Sequence, residues 1–149
     1  MLELSRKSDY ALRAVIYLAR VAPERYGRVS EIAKAKDIPR AFLAQILPVL
    51  ANHRVLKSQQ GAHGGYALAR PPAAISFLDV IESIEGPLRL NKCVEGQHDD
   101  CTILDSCEMH YVWNQAQTQM VGFLGSVTIA DMLSSPHHPG SGPVAIEIS

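Results

Sequence analysis

The feature that most restricts the fold is a pair of short helical segments followed directly by a glycine-rich hairpin. Residues 31–36 and a segment beginning near Pro39 are predicted helices. Residues 55–59 and 66–69 are predicted strands, joined by the turn Gln60-Gly61-Ala62-His63-Gly64-Gly65. This order is typical of a winged helix-turn-helix, so the pattern predicts a mostly α fold with a small β-hairpin wing (α+β).

Three local signals refine the helical part. The first helix is expected from residue 4 or 5 to residue 21, and it is apolar nearly all round, so it should lie between the other elements and a partner. Ser30 is expected to cap the second helix. Pro48 should kink or end the third helix, because an interior proline removes a backbone bond at a cost of about 3 kcal/mol.

The third helix has an apolar back and a more polar front. The front is formed by Arg40, Ala41, Ala44 and Gln45. Arginine suits guanine and glutamine suits adenine in the major groove, so Arg40 and Gln45 are the predicted base contacts. In the wing, Lys57, Gln60 and His63 are predicted to meet the phosphates or the minor groove.

The charge distribution agrees with a nucleic-acid partner for the first half only. Residues 1–70 hold twelve Lys/Arg and five Asp/Glu, whereas residues 71–149 hold two and ten. The first half is therefore at +7 and the second at −8, which together give the net charge of −1. A basic half can bind a polyanion such as double-stranded DNA, although two solvated surfaces of opposite sign would give the same numbers.

The second half is predicted to end in a long helix. Ser76 caps a fourth helix that Gly86-Pro87 ends, and residues 108–125 carry a continuous apolar stripe that a twin subunit would bury. Packing on the chain's own first helix is the other explanation of the stripe. Thr128 opens a last short helix, and the Pro/Gly/Ser-rich tail is expected to be disordered. The expected units are a winged domain (1–87), a cysteine-bearing loop (88–107), a dimerisation part (108–133) and a tail (134–149).

The three cysteines lie close together in the sequence. They are Cys93, Cys101 and Cys107, and His110 follows one helical turn after the last. Clustered thiolates indicate an inorganic centre, with His110 as a candidate fourth ligand because it shares a helical face with Cys107. Structural zinc and a metal-free thiol switch are the chemical alternatives.

Other classes are less well supported. No apolar run is long enough to cross a bilayer and the first ten residues lack a secretory signal, so a cytoplasmic protein with no membrane partner is expected. In that reducing compartment an odd number of cysteines favours ligands or reactive thiols over disulfides. No phosphate loop, nucleophile elbow or placed carboxylate pair is present, which argues against an enzyme. A winged adaptor that does not bind DNA fits poorly with the basic half.

The order of parts resembles the Rrf-two family of bacterial winged-helix regulators, which includes an iron–sulfur cluster regulator and a nitric-oxide-sensitive repressor. The resemblance spans about residues 2–133. It is carried by Tyr10-Ala11-Leu12-Arg13, residues 38–45, Gly64-Gly65-Tyr66-Ala67-Leu68, residues 75–81 with Glu85-Gly86, the three cysteines, and Thr128-Ile129-Ala130-Asp131-Met132.

The resemblance implies a homodimer on a near-palindromic operator and, in many members, an iron–sulfur cluster. The cluster regulator's pattern corresponds to ligation by three cysteines and His110, which suits a two-iron, two-sulfur cluster (2Fe-2S) and is the preferred assignment. The repressor's pattern points instead to Asp9 from the other subunit and a four-iron, four-sulfur cluster (4Fe-4S). This chain departs from the cluster regulator at Ala44, where that protein has an acidic residue, and at Gln60, where it has an arginine. A different operator is therefore expected.

Overall fold

The computed structural model describes residues 3–21, 25–94 and 101–135. It contains helices α1 (Arg6–Val21), α2 (Val29–Lys36), α3 (Arg40–Asn52), α4 (Phe77–Glu85), α5 (Glu108–Ser126) and α6 (Ile129–Ser134). Strands β1 (Leu56–Gln59) and β2 (Gly65–Leu68) lie between α3 and α4, and short 3-10 turns cover Pro72–Ala74 and Leu104–Ser106. The predicted mostly α fold with one hairpin is confirmed.

Helix α1 forms the centre of the core. Ala11, Ala14, Val15 and Leu18 are fully buried, and the helix contacts α2, α3, α4, α6 and β2. The small alanines let the neighbouring helices approach closely, while the branched side chains fill the space between them. The expected burial of α1 among the other elements holds on this side, but Arg13 and Arg20 on the opposite side are exposed.

The helix pair is present, with two differences at its ends. Helix α2 begins at Val29 with Arg28 at the N-cap, so the prediction that Ser30 caps it is wrong; Ser30 lies inside the first turn. The helix ends at Lys36, and the C-cap residue Asp37 has a left-handed φ of 51°, which aspartate tolerates better than most residues. Pro39 stands at the N-cap of α3, where its carbonyl accepts from the N–H groups of Phe42 and Leu43.

Of the two outcomes expected at Pro48, a kink or an early end, the early end is wrong, because Pro48 neither ends nor shortens α3. The helix continues four residues beyond it, to Asn52. Leu47 is 1% exposed and Leu50 is fully buried. Burial of a leucine side chain contributes about 1.5–3 kcal/mol, so these two offset the cost of about 3 kcal/mol that an interior proline imposes.

The hairpin is antiparallel, and Leu56 pairs with Leu68 while Gln59 pairs with Gly65 next to the turn. A third segment joins it, because Gly27 and Tyr66 exchange two backbone hydrogen bonds of 2.7 and 2.9 Å. A side chain at Gly27 would place its Cβ 2.6 Å from Leu18 Cδ2, and Gly65 has a φ of +149°. Glycine at both positions permits this close approach.

The N-terminal ends of α4 and α6 are capped in the same way and are joined to each other. The capping box of Thr128 and Asp131 at α6 and the N-cap role of Ser76 at α4 are as predicted, and Asp79 completes a second capping box with Ser76. The two caps lie side by side, because Phe77 N–H donates to Val127 and Ile129 N–H donates to Ile75. Gly86 ends α4 with a φ of 78°.

The start of α1 is tied to the end of α4 by Glu85. Its Oε1 accepts from the Ser5 N–H at 2.8 Å and from the Ser8 hydroxyl at 2.6 Å. Hydrogen bonds from the hydroxyls of Ser5 and Ser8 favour the charged form, so they hold the pKa of Glu85 below its ordinary value. The helices within residues 3–21, 25–94 and 101–135 are all too short or too polar to cross a membrane. The tail was expected to begin at residue 134, but Ser134 is the last residue of α6; residues 136–149 of the predicted disordered tail lie outside the described residues.

Candidate DNA-binding and cysteine sites

The front of α3 is an exposed surface. Its back is buried through Leu43, Ile46, Leu47 and Leu50. The predicted DNA-reading residues Arg40, Ala41, Ala44 and Gln45 are all exposed, because residues spaced by one, three and four positions share a face of a helix whose other face is in the core. Their contact with base edges stays a prediction.

The wing presents its predicted residues to solvent as well. Lys57, Gln60 and His63 are exposed. The Lys57 ammonium lies 5.8 Å from the centre of the Tyr26 ring, close enough for a cation–π attraction that steadies its position. Their role in DNA binding also stays a prediction.

The three cysteines are free thiols and each is half-buried. Cys93 lies in a turn after α4, next to Val94, which is fully buried. Cys107 stands at the N-cap of α5, directly after the 3-10 turn Leu104–Ser106. Cys93 therefore adjoins a buried residue, and Cys107 adjoins a helix. Residues 95–100, between Cys93 and Cys101, lie outside the described part of the chain.

His110 is on the first turn of α5, where its N–H donates to the Cys107 carbonyl. Its Nε2 lies 2.8 Å from Asn114 Nδ2, one turn further along. The amide nitrogen can only donate, so Nε2 accepts and its lone pair is occupied; His110 could bind iron through Nε2 only after this hydrogen bond breaks. Asn114 was missed by the sequence analysis, although its spacing of four residues from His110 was a usable signal.

The described residues do not form a metal site by themselves. Over residues 3–21, 25–94 and 101–135, no three or more His, Cys, Asp or Glu side chains are grouped closely enough to hold a metal ion. Thiolates and an imidazole are the right donors for an iron–sulfur cluster, so the donor set fits in kind but is not assembled. Asp9, the other candidate ligand, is exposed and pairs with Arg13 on the same helix at 2.7 Å.

Residue Gln117 links the cysteine-bearing part of the chain to α5. It is 4% exposed and is the one buried residue of this helix. Its Nε2 donates to the Leu88 carbonyl at 2.6 Å, and its Oε1 accepts from the Leu90 N–H at 2.9 Å. This pair of hydrogen bonds, which we name the Gln117 clamp, was not predicted from the sequence. The available signal was a polar residue beside the apolar stripe, four positions after Trp113.

The apolar stripe of α5 is largely uncovered. Met109 and Val112 are each 60% exposed and Phe123 is 66% exposed, while Trp113 is 37% exposed. The main contact of α5 within the protomer is with α4, so packing on α1 does not account for the stripe. A monomeric protein seldom leaves such a row of large side chains in water.

Comparisons with known proteins agree with this architecture. Residues 4–135 match the Rrf2 family, described as iron-dependent transcriptional regulators. An HTH-type transcriptional regulator of Aquifex aeolicus is 34% identical over 126 residues, which are 84% of this chain and 87% of that protein.

Two solved structures share the fold over most of their length. The global cysteine regulator CymR of B. subtilis has a TM-score of 0.74 at 29% identity, covering 90% of this chain and 98% of that one. IscR of T. potens has a TM-score of 0.70 at 30% identity, covering 89% and 86%. Because the family match covers residues 4–135 and these relatives are transcriptional regulators, not enzymes, the chain belongs to the Rrf2 family of DNA-binding transcriptional regulators.

Proposed function

We propose that this protein is a homodimeric regulator whose operator binding is controlled by an iron–sulfur cluster held by Cys93, Cys101 and Cys107. The observation that carries the proposal is the attachment of these residues to α5. Cys107 is the N-cap of that helix, and the segment leading to Cys93 is bound to the middle of the helix by Gln117. A group that joined the cysteines would therefore connect residues 88–107, which we name the cysteine segment, to the helix that carries the apolar stripe.

The fourth ligand is proposed to be His110. It lies one turn from Cys107 on the same helix, and the Asn114 amide must release Nε2 before that atom can bind iron. Asp9 of the partner subunit is the competing ligand, but the ion pair of Asp9 with Arg13 would have to break first. A cluster with three cysteines and one histidine suits 2Fe-2S, whereas ligation by Asp9 suits 4Fe-4S.

Spectra of the anaerobically purified protein test this assignment. The unaltered protein should be brown, with iron and sulfide in equal amounts, and Mössbauer spectra should report the nuclearity. His110→Ala should change the optical and Mössbauer spectra, while Asp9→Ala should leave them unchanged. His53→Ala, at an exposed position after α3, is the matched control. An unaltered cluster in His110→Ala would remove this residue from the ligand set.

The homodimer is supported by the stripe on α5. Burial of each large apolar side chain contributes about 1.5–3 kcal/mol. In a twofold dimer the same stripe is buried on both subunits, so each side chain contributes once in each subunit. When bound, the cluster would supply a link between the cysteine segment and this helix, and its loss would alter the spacing of the two α3 helices on the operator. Iron limitation, oxygen and nitric oxide are the signals to test.

For DNA contact, we propose that Arg40 and Gln45 meet base edges and that Lys57, Gln60 and His63 lie against the backbone. All five side chains are exposed: Arg40 and Gln45 on the second helix of the pair, α3, and the other three on the wing. The basic charge of residues 1–70 supports this orientation of the protein, because phosphate neutralisation supplies much of the affinity of such complexes.

A thiol switch is the second candidate function. It is favoured by the absence of a preassembled ligand group among the described residues and by three free, half-buried thiols. Oxidation of Cys101 and Cys107 by hydrogen peroxide, which would remove two electrons and two protons to give a disulfide while the peroxide is reduced to water, would then replace cluster chemistry. Metal analysis separates the candidates, since a colourless protein containing zinc would indicate a structural Cys3His site, and a colourless metal-free protein would indicate the thiol switch.

A further inference from the structure

The tip of the wing has no permanent positive charge of its own. Residues 60–64, which we name the wing turn, contain no lysine or arginine. Lys57 lies further back on β1, where it pairs with Ala67 and its ammonium is beside Tyr26. Since neutralisation of phosphates by Lys and Arg supplies the electrostatic part of DNA binding, the wing turn would make a weak electrostatic contact by itself.

A guanidinium from another part of the chain lies at this turn. Arg28 precedes α2, is exposed, and its Nη2 donates to the Ala62 carbonyl at 2.5 Å across 34 residues of sequence. The approach is fixed by the backbone, because the neighbouring Gly27 forms two hydrogen bonds with Tyr66 of β2. The side chain therefore extends along the wing from a third strand-like segment.

We propose that Arg28 is a DNA-contacting residue, which supplies the phosphate-binding cation of the wing turn. A guanidinium has five N–H donors, and the bond to Ala62 uses one of them. The remaining donors on this exposed side chain suit a phosphate, which arginine binds with two parallel charge-assisted hydrogen bonds. The bond to Ala62 holds the guanidinium in place before DNA arrives, so less side-chain entropy is lost on binding.

The inference rests on the proposed DNA binding and not on the cluster. A brace without DNA contact is the competing explanation, since the same bond would also steady the wing turn. The two explanations differ in salt dependence. Each phosphate contact changes the slope of log K against log salt by about 0.9, whereas loss of a brace lowers affinity equally at all salt concentrations.

The experiment measures binding to a duplex selected from a random-sequence pool by the unaltered protein, over a range of salt concentrations. Arg28→Gln should reduce the magnitude of the slope by about 0.9 per bound wing and weaken binding by about eightfold per wing at about 0.1 M salt. Arg28→Lys should keep most of the slope, because the charge remains. Arg25→Gln is the control, since it removes an exposed arginine of the same loop that is paired with Glu31.

An unchanged slope for Arg28→Gln would overturn the inference, and Arg28 would then only steady the wing turn without contacting DNA. The same fall in slope for Arg25→Gln would also overturn it, because the effect would then be one of general charge. If the unaltered protein selected no duplex, the proposed DNA binding itself would fail, together with this inference.

Discussion

Replacement of Gln117 by leucine preserves the approximate size of the side chain but removes both atoms that bind residues 88–90. The Leu88 carbonyl, which accepts in a buried contact, and the Leu90 N–H, which is partly buried, would lose their partner. An unsatisfied buried backbone group costs about 1–3 kcal/mol. With one group only partly buried, the free energy of unfolding should fall by about 2–4 kcal/mol.

Urea unfolding at a fixed protein concentration, followed by circular dichroism, measures this change, since the stability of a dimer depends on protomer concentration. Gln115→Leu is the matched control, because Gln115 is exposed on the same helix and bonds only to the Tyr111 hydroxyl in the described contacts. Its substitution should change stability by less than about 0.5 kcal/mol, as surface changes usually do.

A second readout follows the cysteine segment directly. Without the clamp, residues 88–94 should open more often, so Cys93 should react faster with a maleimide, as measured by peptide mass spectrometry. Cys107, at the N-cap of α5, should react at its original rate. If Gln117→Leu lost no more stability than Gln115→Leu and left Cys93 labelling unchanged, the clamp would not hold the segment in solution.

Three other changes have equally direct expectations. Phe123→Glu should convert the dimer to monomer in sedimentation experiments, because it puts a charge on the exposed stripe, whereas Thr118→Glu on the opposite side of α5 should not; a persistent dimer would contradict the interface. Arg40→Ala should weaken operator binding in a gel shift by about 1–3 kcal/mol while sparing the dimer, and unaltered binding would exclude the predicted base contact. The lowered pKa of Glu85 stabilises the fold above the ordinary glutamate pKa, and this contribution is lost as the pH falls through the folded pKa. Glu85→Gln should therefore reduce the loss of stability on acidification; an identical pH profile would contradict it.

The parts of the fold that were predictable from sequence depend on short-range chemistry. The capping boxes at Ser76 and Thr128 each involve residues three apart, so both could be read directly. The wing was predictable because the glycines stand between two strand-forming runs. The early end expected at Pro48 was wrong because the local cost of the proline is offset by tertiary burial of Leu47 and Leu50, which a local rule does not include.

The long-range contacts of the site were not predictable in the same way. Gln117 binds a segment 27–29 residues earlier, and Arg28 reaches a carbonyl 34 residues later. Neither contact leaves a periodic pattern in the sequence, since each depends on how separate elements pack. The grouping of the cysteines was predicted from their proximity in sequence alone, and it stays a prediction.

The adjacent caps of α4 and α6 also give α5 a fixed end. The backbone hydrogen bonds from Phe77 N–H to Val127 and from Ile129 N–H to Ile75 hold the C-terminal end of α5 against the winged domain, while Cys107 lies at the opposite end of a 19-residue helix. At 1.5 Å per residue the helix is about 28 Å long, so a tilt of about 5° at this junction displaces the cysteine end by about 2.5 Å. Because of this length, a small rotation of α5 about its C-terminal end, beside the winged domain, would produce a displacement of measurable size at its cysteine end.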